Sequence, residues 1–187
     1  MKRLFNRATK ILLSTDSIVL VSAAMLGPFY TIFVENIGGN LFDISLTIAI
    51  FAFVAGITTL IAGRYTKKIE EEELVVAIGY ALMGVGFFLY LLVDSIWSLF
   101  AVQVLIGFAG AIYAPALDYL HNKHLKRCRV GKIRGTWEAV DYFSISIGAI
   151  VGSLIVYFLG FEILFLLMAT FCFVSALYIY FLPRKVL

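Results

Sequence analysis

Six long apolar runs, at about 11–35, 44–63, 74–93, 96–120, 136–159 and 161–182, constrain this chain more than anything else in it. Each holds about 20 residues or more, the length a helix needs to cross the hydrocarbon core of a bilayer. The first is about 36 Å long by helical rise and crosses with tilt. The breaks between runs are turn chemistry: Asn36–Asn40 (NIGGN), the polar hinge Asp94-Ser95, and Gly160. Six spans use about 120 residues, so the rest of the 187 supplies short loops and tails. Composition agrees, because 62% of residues are apolar and only 14% charged. A soluble domain carries about 25% charge and could not hide this much hydrocarbon. Disorder is excluded by the many aromatics, and a disulfide-stapled fold by two lone cysteines. The expected fold is an all-α membrane protein, one six-helix transmembrane domain over residues 1–187. Any chemistry must then lie within or between helices.

The cations give the orientation. Lys2, Arg3, Arg7 and Lys10 precede the first span, and Arg64, Lys67 and Lys68 follow the second. Lys123, Lys126, Arg127, Arg129, Lys132 and Arg134 lie between the fourth and fifth, and Arg184 and Lys185 follow the sixth. These are all 15 Lys and Arg of the chain, and the alternate loops have none. The positive-inside rule therefore predicts a multi-pass protein of the cell (inner or cytoplasmic) membrane with both termini cytoplasmic. The topology signal accounts for the basic loop, so no nucleic-acid partner is expected; the lipid bilayer is the expected one. The first apolar run is too long for a cleaved signal peptide and is expected to remain. Glu70–Glu73 read as helix N-terminal charge, with Lys67–Glu71 and Lys68–Glu72 as pairs one turn apart.

An internal repeat is visible. Gly27-Pro28 in the first span and Ala114-Pro115 in the fourth sit at similar depths, with the prolines 87 residues apart. The third and sixth spans begin at the same offset, which also maps Asp16 onto Gln103. Three spans per repeat is an odd number, so the second repeat enters from the opposite side. Two inverted three-helix repeats, about 11–93 and 96–182, are a mark of secondary transporters.

Several segments resemble one family. GPFYTIFVENIGG (27–39), a further span and a basic loop are similar to the start of major facilitator superfamily (MFS) transporters. The stretch Thr59–Lys68 resembles the family's G-x-L-A-D-R-x-G-R-K signature through Ala62, Arg64, Lys67 and Lys68; Gly63 stands at the aspartate. QVLIGFAGAIYAPA (103–116) resembles its R-x-x-x-G-x-G-x-A pattern, with Gln103 at the arginine. The loop segment GKIRGTWEA (131–139) resembles the start of the family's fifth helix. Gly148 and Gly152 form a G-x-x-x-G in the fifth span, without the proline of antiporters. The resemblance covers the N-terminal six-helix half of a twelve-helix transporter. It implies a solute path lined by spans one and four, a rocking seam at spans two and five, and lipid around spans three and six. It also implies helix packing or hinge roles for Gly27, Pro28, Gly107, Gly110, Pro115, Gly148 and Gly152.

An ionisable residue inside a span costs about 2.5–3.5 kcal/mol on insertion scales, so each is a functional hypothesis. Asp16 lies about 9 Å inside the first span. It is either a proton or substrate-cation site near the inner cavity mouth or an interfacial cap paired with Lys10 or a neighbouring basic loop. Asp141, with Glu138, relays protons or pairs with Arg134. Asp118 reads as a structural partner of the basic loop. Gln103, Tyr30 and Tyr113 are polar handles on the spans that line the cavity in the resembled family, as ligand contacts or as interhelical hydrogen bonds. Asp43, Asp94 and Glu162 read as solvated caps. His121, His124 and Cys128 have metal-ligand spacing, but the surrounding cations disfavour a metal. No catalytic triad, Walker or Rossmann pattern is present, so neither an enzyme nor a cofactor is expected. The expected function is a half-size, MFS-like secondary transporter of a small solute, acting as a parallel homodimer or with a second six-helix half. The alternative is a non-transporting membrane module: an assembly partner, a regulator or a truncated remnant, since the chain stops soon after span six.

Overall fold

The computed structural model of the chain describes residues 7–65, 71–123 and 130–182. Helix α1 (Arg7–Leu26) ends at a 3-10 turn, Gly27–Phe29, and continues as α2 (Tyr30–Asn36). Then come α3 (Leu41–Tyr65), α4 (Glu72–Leu89), a 3-10 turn at Tyr90–Leu92, α5 (Ile96–Lys123), α6 (Val130–Leu159) and α7 (Phe161–Tyr180). Among the described residues, six spans are long and apolar enough to cross a membrane: Thr9–Asn36, Leu41–Arg64, Glu72–Leu92, Ile96–His121, Ile133–Leu159 and Phe161–Tyr180.

The connections follow local chemistry. Asn40 caps α3: its Oδ1 accepts from the backbone N–H groups of Phe42 (2.8 Å) and Asp43 (3.1 Å). Asp43 Oδ2 accepts in return from Asn40 N at 2.9 Å, a reciprocal capping box. The acid is thus the second member of the cap rather than the cap itself. Gly38 and Gly160 both take φ of 84°, the left-handed region that suits glycine at a tight reversal. Pro28 sits where α1 gives way to the 3-10 turn, because proline cannot donate the next helical hydrogen bond. Pro115, by contrast, lies within α5.

The packing order around the bundle is α3, α5, α4, α7, α1, α6, and α1 and α5 barely touch. Close approach of one helix to the backbone of another is glycine-dependent at two seams. A Cβ on Gly148 would lie 2.5 Å from the carbonyl oxygen of Val21, and one on Gly152 would collide with the backbone of Met25, so α6 lies directly on α1. A Cβ on Gly107 would lie 2.7 Å from the carbonyl oxygen of Phe51, so α5 lies on α3 in the same way. Gly110 makes only ordinary contact with Met83, and Gly27 meets nothing within 4 Å. Gly152→Leu is expected to destabilise the α1–α6 seam by about 3 kcal/mol, the upper end for overpacking. Gly135→Leu, which points into open space, is expected to cost under about 0.5 kcal/mol. Reversible unfolding in mixed micelles reads both.

One expectation is corrected. Spans three and six do not simply face lipid. Half of the third span's apolar window and 44% of the sixth's are buried, against 11% in the second and 17% in the fifth. The cause is the pairing of α4 with α7 through the middle of the bundle, with Tyr80, Phe165 and Met168 fully enclosed. Only one stripe of each looks outward, Ile78, Val85 and Phe88 on α4 and Leu166, Val174 and Leu177 on α7. The bare helices are α3 and α6.

Candidate functional site

Two polar centres sit in an otherwise apolar bundle. The first is built on Asp16 of α1, which is 9% exposed. The Tyr80 hydroxyl of α4 donates to Asp16 Oδ1 at 3.2 Å. The Tyr80 ring meets the Tyr113 ring of α5 edge to face, with centroids 4.9 Å apart. Asp141 of α6 and Asp118 of α5 lie within electrostatic reach of Asp16. Tyr113 lies within reach of both Asp16 and Asp141. Four helices therefore converge on one carboxyl. No Lys or Arg among the described residues forms an ion pair with it, so Asp16 is not held by Lys10. Nor is Asp141 held by Arg134, whose Nε pairs with Glu138 Oε1 at 3.2 Å on the exposed side of α6. The Oδ1 atom of Asp141 is sealed from solvent with no hydrogen-bond partner among the described residues.

The second centre lies about four helical turns further along α1–α2. Gln103 of α5 is 6% exposed. Its Nε2 donates to the Tyr30 hydroxyl oxygen at 2.5 Å and to that of Tyr90 at 3.3 Å. One amide thus ties α5 to α2 and to the turn after α4. The cluster lines a cavity of about 370 Å³ whose other walls are apolar, including Leu26, Phe51, Met83, Phe87 and Ile106. Pro28 contributes indirectly, because the break after Leu26 sets the direction in which Tyr30 leaves.

Between the two centres Ser22 donates to the Met168 carbonyl at 2.8 Å, with Cys172 Sγ 3.7 Å from Ser22 Oγ. These contacts lock α1 to α7. His121 meets Trp137 edge to face, with centroids 4.1 Å apart. No group of three metal-ligating side chains forms among the described residues. His124 and Cys128, and Lys67 and Lys68 of the loop motif, lie outside the described residues; Arg64 is exposed at the end of α3. Sequence reasoning named Asp16, Tyr30, Gln103, Tyr113 and Asp141 but passed over Tyr80 and Tyr90, which bond the central residue of each centre. Their one available signal was a hydroxyl inside an apolar span.

The comparison with family models covers nearly the whole chain: the model described as Major Facilitator Superfamily matches residues 13–186. The chain belongs to the major facilitator superfamily. Its MFS relatives include the multidrug resistance protein MdtG of Proteus mirabilis, 22% identical over 180 residues, 92% of this chain and 44% of the relative. MdtG of Dickeya zeae is 23% identical, covering 88% of this chain and 41% of the relative. A Na(+), Li(+), K(+)/H(+) antiporter of Planococcus maritimus is 28% identical, covering 92% and 41%. The chain thus spans less than half the length of these MFS relatives.

Proposed function

We propose that this chain is one six-helix half of an MFS secondary transporter, moving a small solute with coupling to protons and completed by a second six-helix half. The second half is a parallel copy of this chain or a separate six-helix unit. Both termini are cytoplasmic, and residues of about 11–93 and 96–182 are inverted repeats. Exchanging α1 with α5, α3 with α6 and α4 with α7 maps the five most extensive packing pairs onto one another, which supports the repeat; the smaller α6–α7 contact has no α3–α4 counterpart of comparable extent. Asp16 and Asp141 carry the proton, and Tyr30, Gln103 and Tyr113 line the solute path. Arg64, Lys67 and Lys68 form the cytoplasmic motif. Gly27, Pro28 and Pro115 act as hinges, and Gly107, Gly110, Gly148 and Gly152 as packing positions. The observation that carries this reading is the buried Asp16 carboxyl held by a tyrosine hydroxyl and by no described cation. A buried charge without a partner is costly, so its retention needs a function. The name of one relative, a Na(+), Li(+), K(+)/H(+) antiporter, supports proton coupling, and that of another, a multidrug resistance protein, supports a small-molecule solute.

The bare faces support the pairing. Along α3 the exposed Ser45, Ala49, Ala52, Gly56 and Gly63 form a stripe of small residues, and a Cβ at Gly56 or Gly63 would meet nothing within 4 Å. Along α6 the exposed Phe143, Ile147, Ile150, Leu154 and Tyr157 form a stripe of large ones. A small-residue groove receives bulky side chains from a neighbouring helix at close range. Two parallel halves related by a two-fold axis bring α3 of one against α6 of the other. The test of the function is uptake by proteoliposomes across a panel of solutes, with and without an imposed proton gradient. Gradient-dependent uptake supports the reading, and its absence from a folded, paired sample contradicts it.

A further inference from the structure

We infer that the cavity at Gln103 takes an uncharged solute with a ring-sized apolar body and one hydrogen-bonding group, not an ion. This rests on the transporter reading above and names the substrate class of its solute path. Among the described residues, the cavity walls carry no Lys, Arg, His, Asp or Glu. The nearest acid along α1 is Asp16, seven residues before the lining residue Ala23, about 10 Å away by helical rise. An ion entering this cavity would leave water and find no opposite charge on the walls this chain supplies, which costs several kcal/mol or more. A neutral body meets Leu26, Phe51, Met83, Phe87 and Ile106 instead. A cavity of about 370 Å³ lies at the small end of ligand sites, roughly 300–1,000 Å³. Specificity comes from one corner. Gln103 Nε2 is spent on the two tyrosine oxygens. Its carbonyl oxygen therefore serves as acceptor and the Tyr90 hydroxyl proton as donor, which together fit a phenol, alcohol or neutral carbonyl group. The proton site and the solute site are then separate in space: a carboxyl centre without a cavity of this kind, and a cavity without a carboxyl.

The test is equilibrium dialysis of the chain in nanodiscs, with empty nanodiscs subtracted, using three probes of one shape: 1-naphthol, naphthalene-1-sulfonate and trimethyl(1-naphthyl)ammonium. Saturable 1-naphthol binding is expected, with both ions binding at least tenfold more weakly. Gln103→Leu is expected to weaken 1-naphthol by about tenfold, the loss of one buried hydrogen-bonding group. Gln103→Glu is expected to lose 1-naphthol and gain the ammonium probe. That exchange of preference cannot arise from misfolding, which would remove both. Equal binding of the three probes, or no saturable 1-naphthol binding by the wild-type chain, overturns the inference. Selective 1-naphthol binding without uptake of any solute leaves the site standing and overturns the transporter reading. Uptake of ionic solutes that depends on Gln103 does the reverse.

Discussion

Asp16→Asn is expected to reduce gradient-driven uptake to the level of empty liposomes while downhill solute exchange continues. The amide keeps the size of the carboxyl and can still accept from Tyr80, so the α1–α4 contact at 3.2 Å survives. What it cannot do is gain and release a proton. A transporter whose coupling runs through this carboxyl therefore keeps its path and loses its drive. Asp141→Asn acts at the same centre, since the two acids lie within electrostatic reach of each other; its effect is expected in the same direction and smaller, because Asp141 is only partly enclosed. The measurement is paired: accumulation under a proton gradient, and counterflow with none. Loss of both activities would make Asp16 a structural residue, and loss of neither would remove it from the coupling.

Gly56→Trp is expected to weaken pairing by about 10- to 100-fold while leaving the six-helix unit intact. Gly56 is exposed and a Cβ there meets nothing within 4 Å, so the indole adds no clash inside one chain. It would, however, fill the α3 groove that receives the bulky stripe of α6. Overpacking a close helix contact costs about 1–3 kcal/mol, and each 1.4 kcal/mol is about tenfold in an association constant. The dimer constant is therefore expected to fall by about 10- to 100-fold, read by energy transfer between labelled chains as the protein-to-lipid ratio is varied. Thermal unfolding of the variant is expected to match the wild type. A variant that pairs as tightly as the wild type would move the contact away from α3.

The sequence made some of these features plain and hid others, for physical reasons. The six spans were legible because hydrocarbon thickness fixes their length, and their ends shifted by only a few residues. Asp16 stood out because a carboxyl within an apolar run is costly wherever it sits. Gln103 stood out through its offset from Asp16, and the two lie in separate clusters, Asp16 with Tyr80 and Gln103 with Tyr30 and Tyr90. Tyr80 and Tyr90 did not stand out, since a tyrosine is at home in an apolar span whether its hydroxyl meets a partner or a headgroup. The placement of α4 and α7 was misread for a related reason. Hydropathy measures distance from water, and a protein interior is as far from water as a lipid tail. What separated the two was glycine placement: Gly79, Gly84 and Gly86 let Tyr113, Phe173 and Ile106 press onto α4, whereas the glycines of α3 at 56 and 63 face open space. In one sequence both patterns read only as small residues in a helix.

The most direct measurement is of solute-induced proton movement in liposomes that carry a pH-sensitive dye in the lumen. With the paired chain reconstituted and a transported solute added on one side, the luminal pH is expected to shift in step with solute flux. The shift should vanish in Asp16→Asn while counterflow persists. Solute flux with no accompanying proton movement, or proton movement unchanged in Asp16→Asn, would contradict the assignment of this buried carboxyl as the coupling site of the transporter.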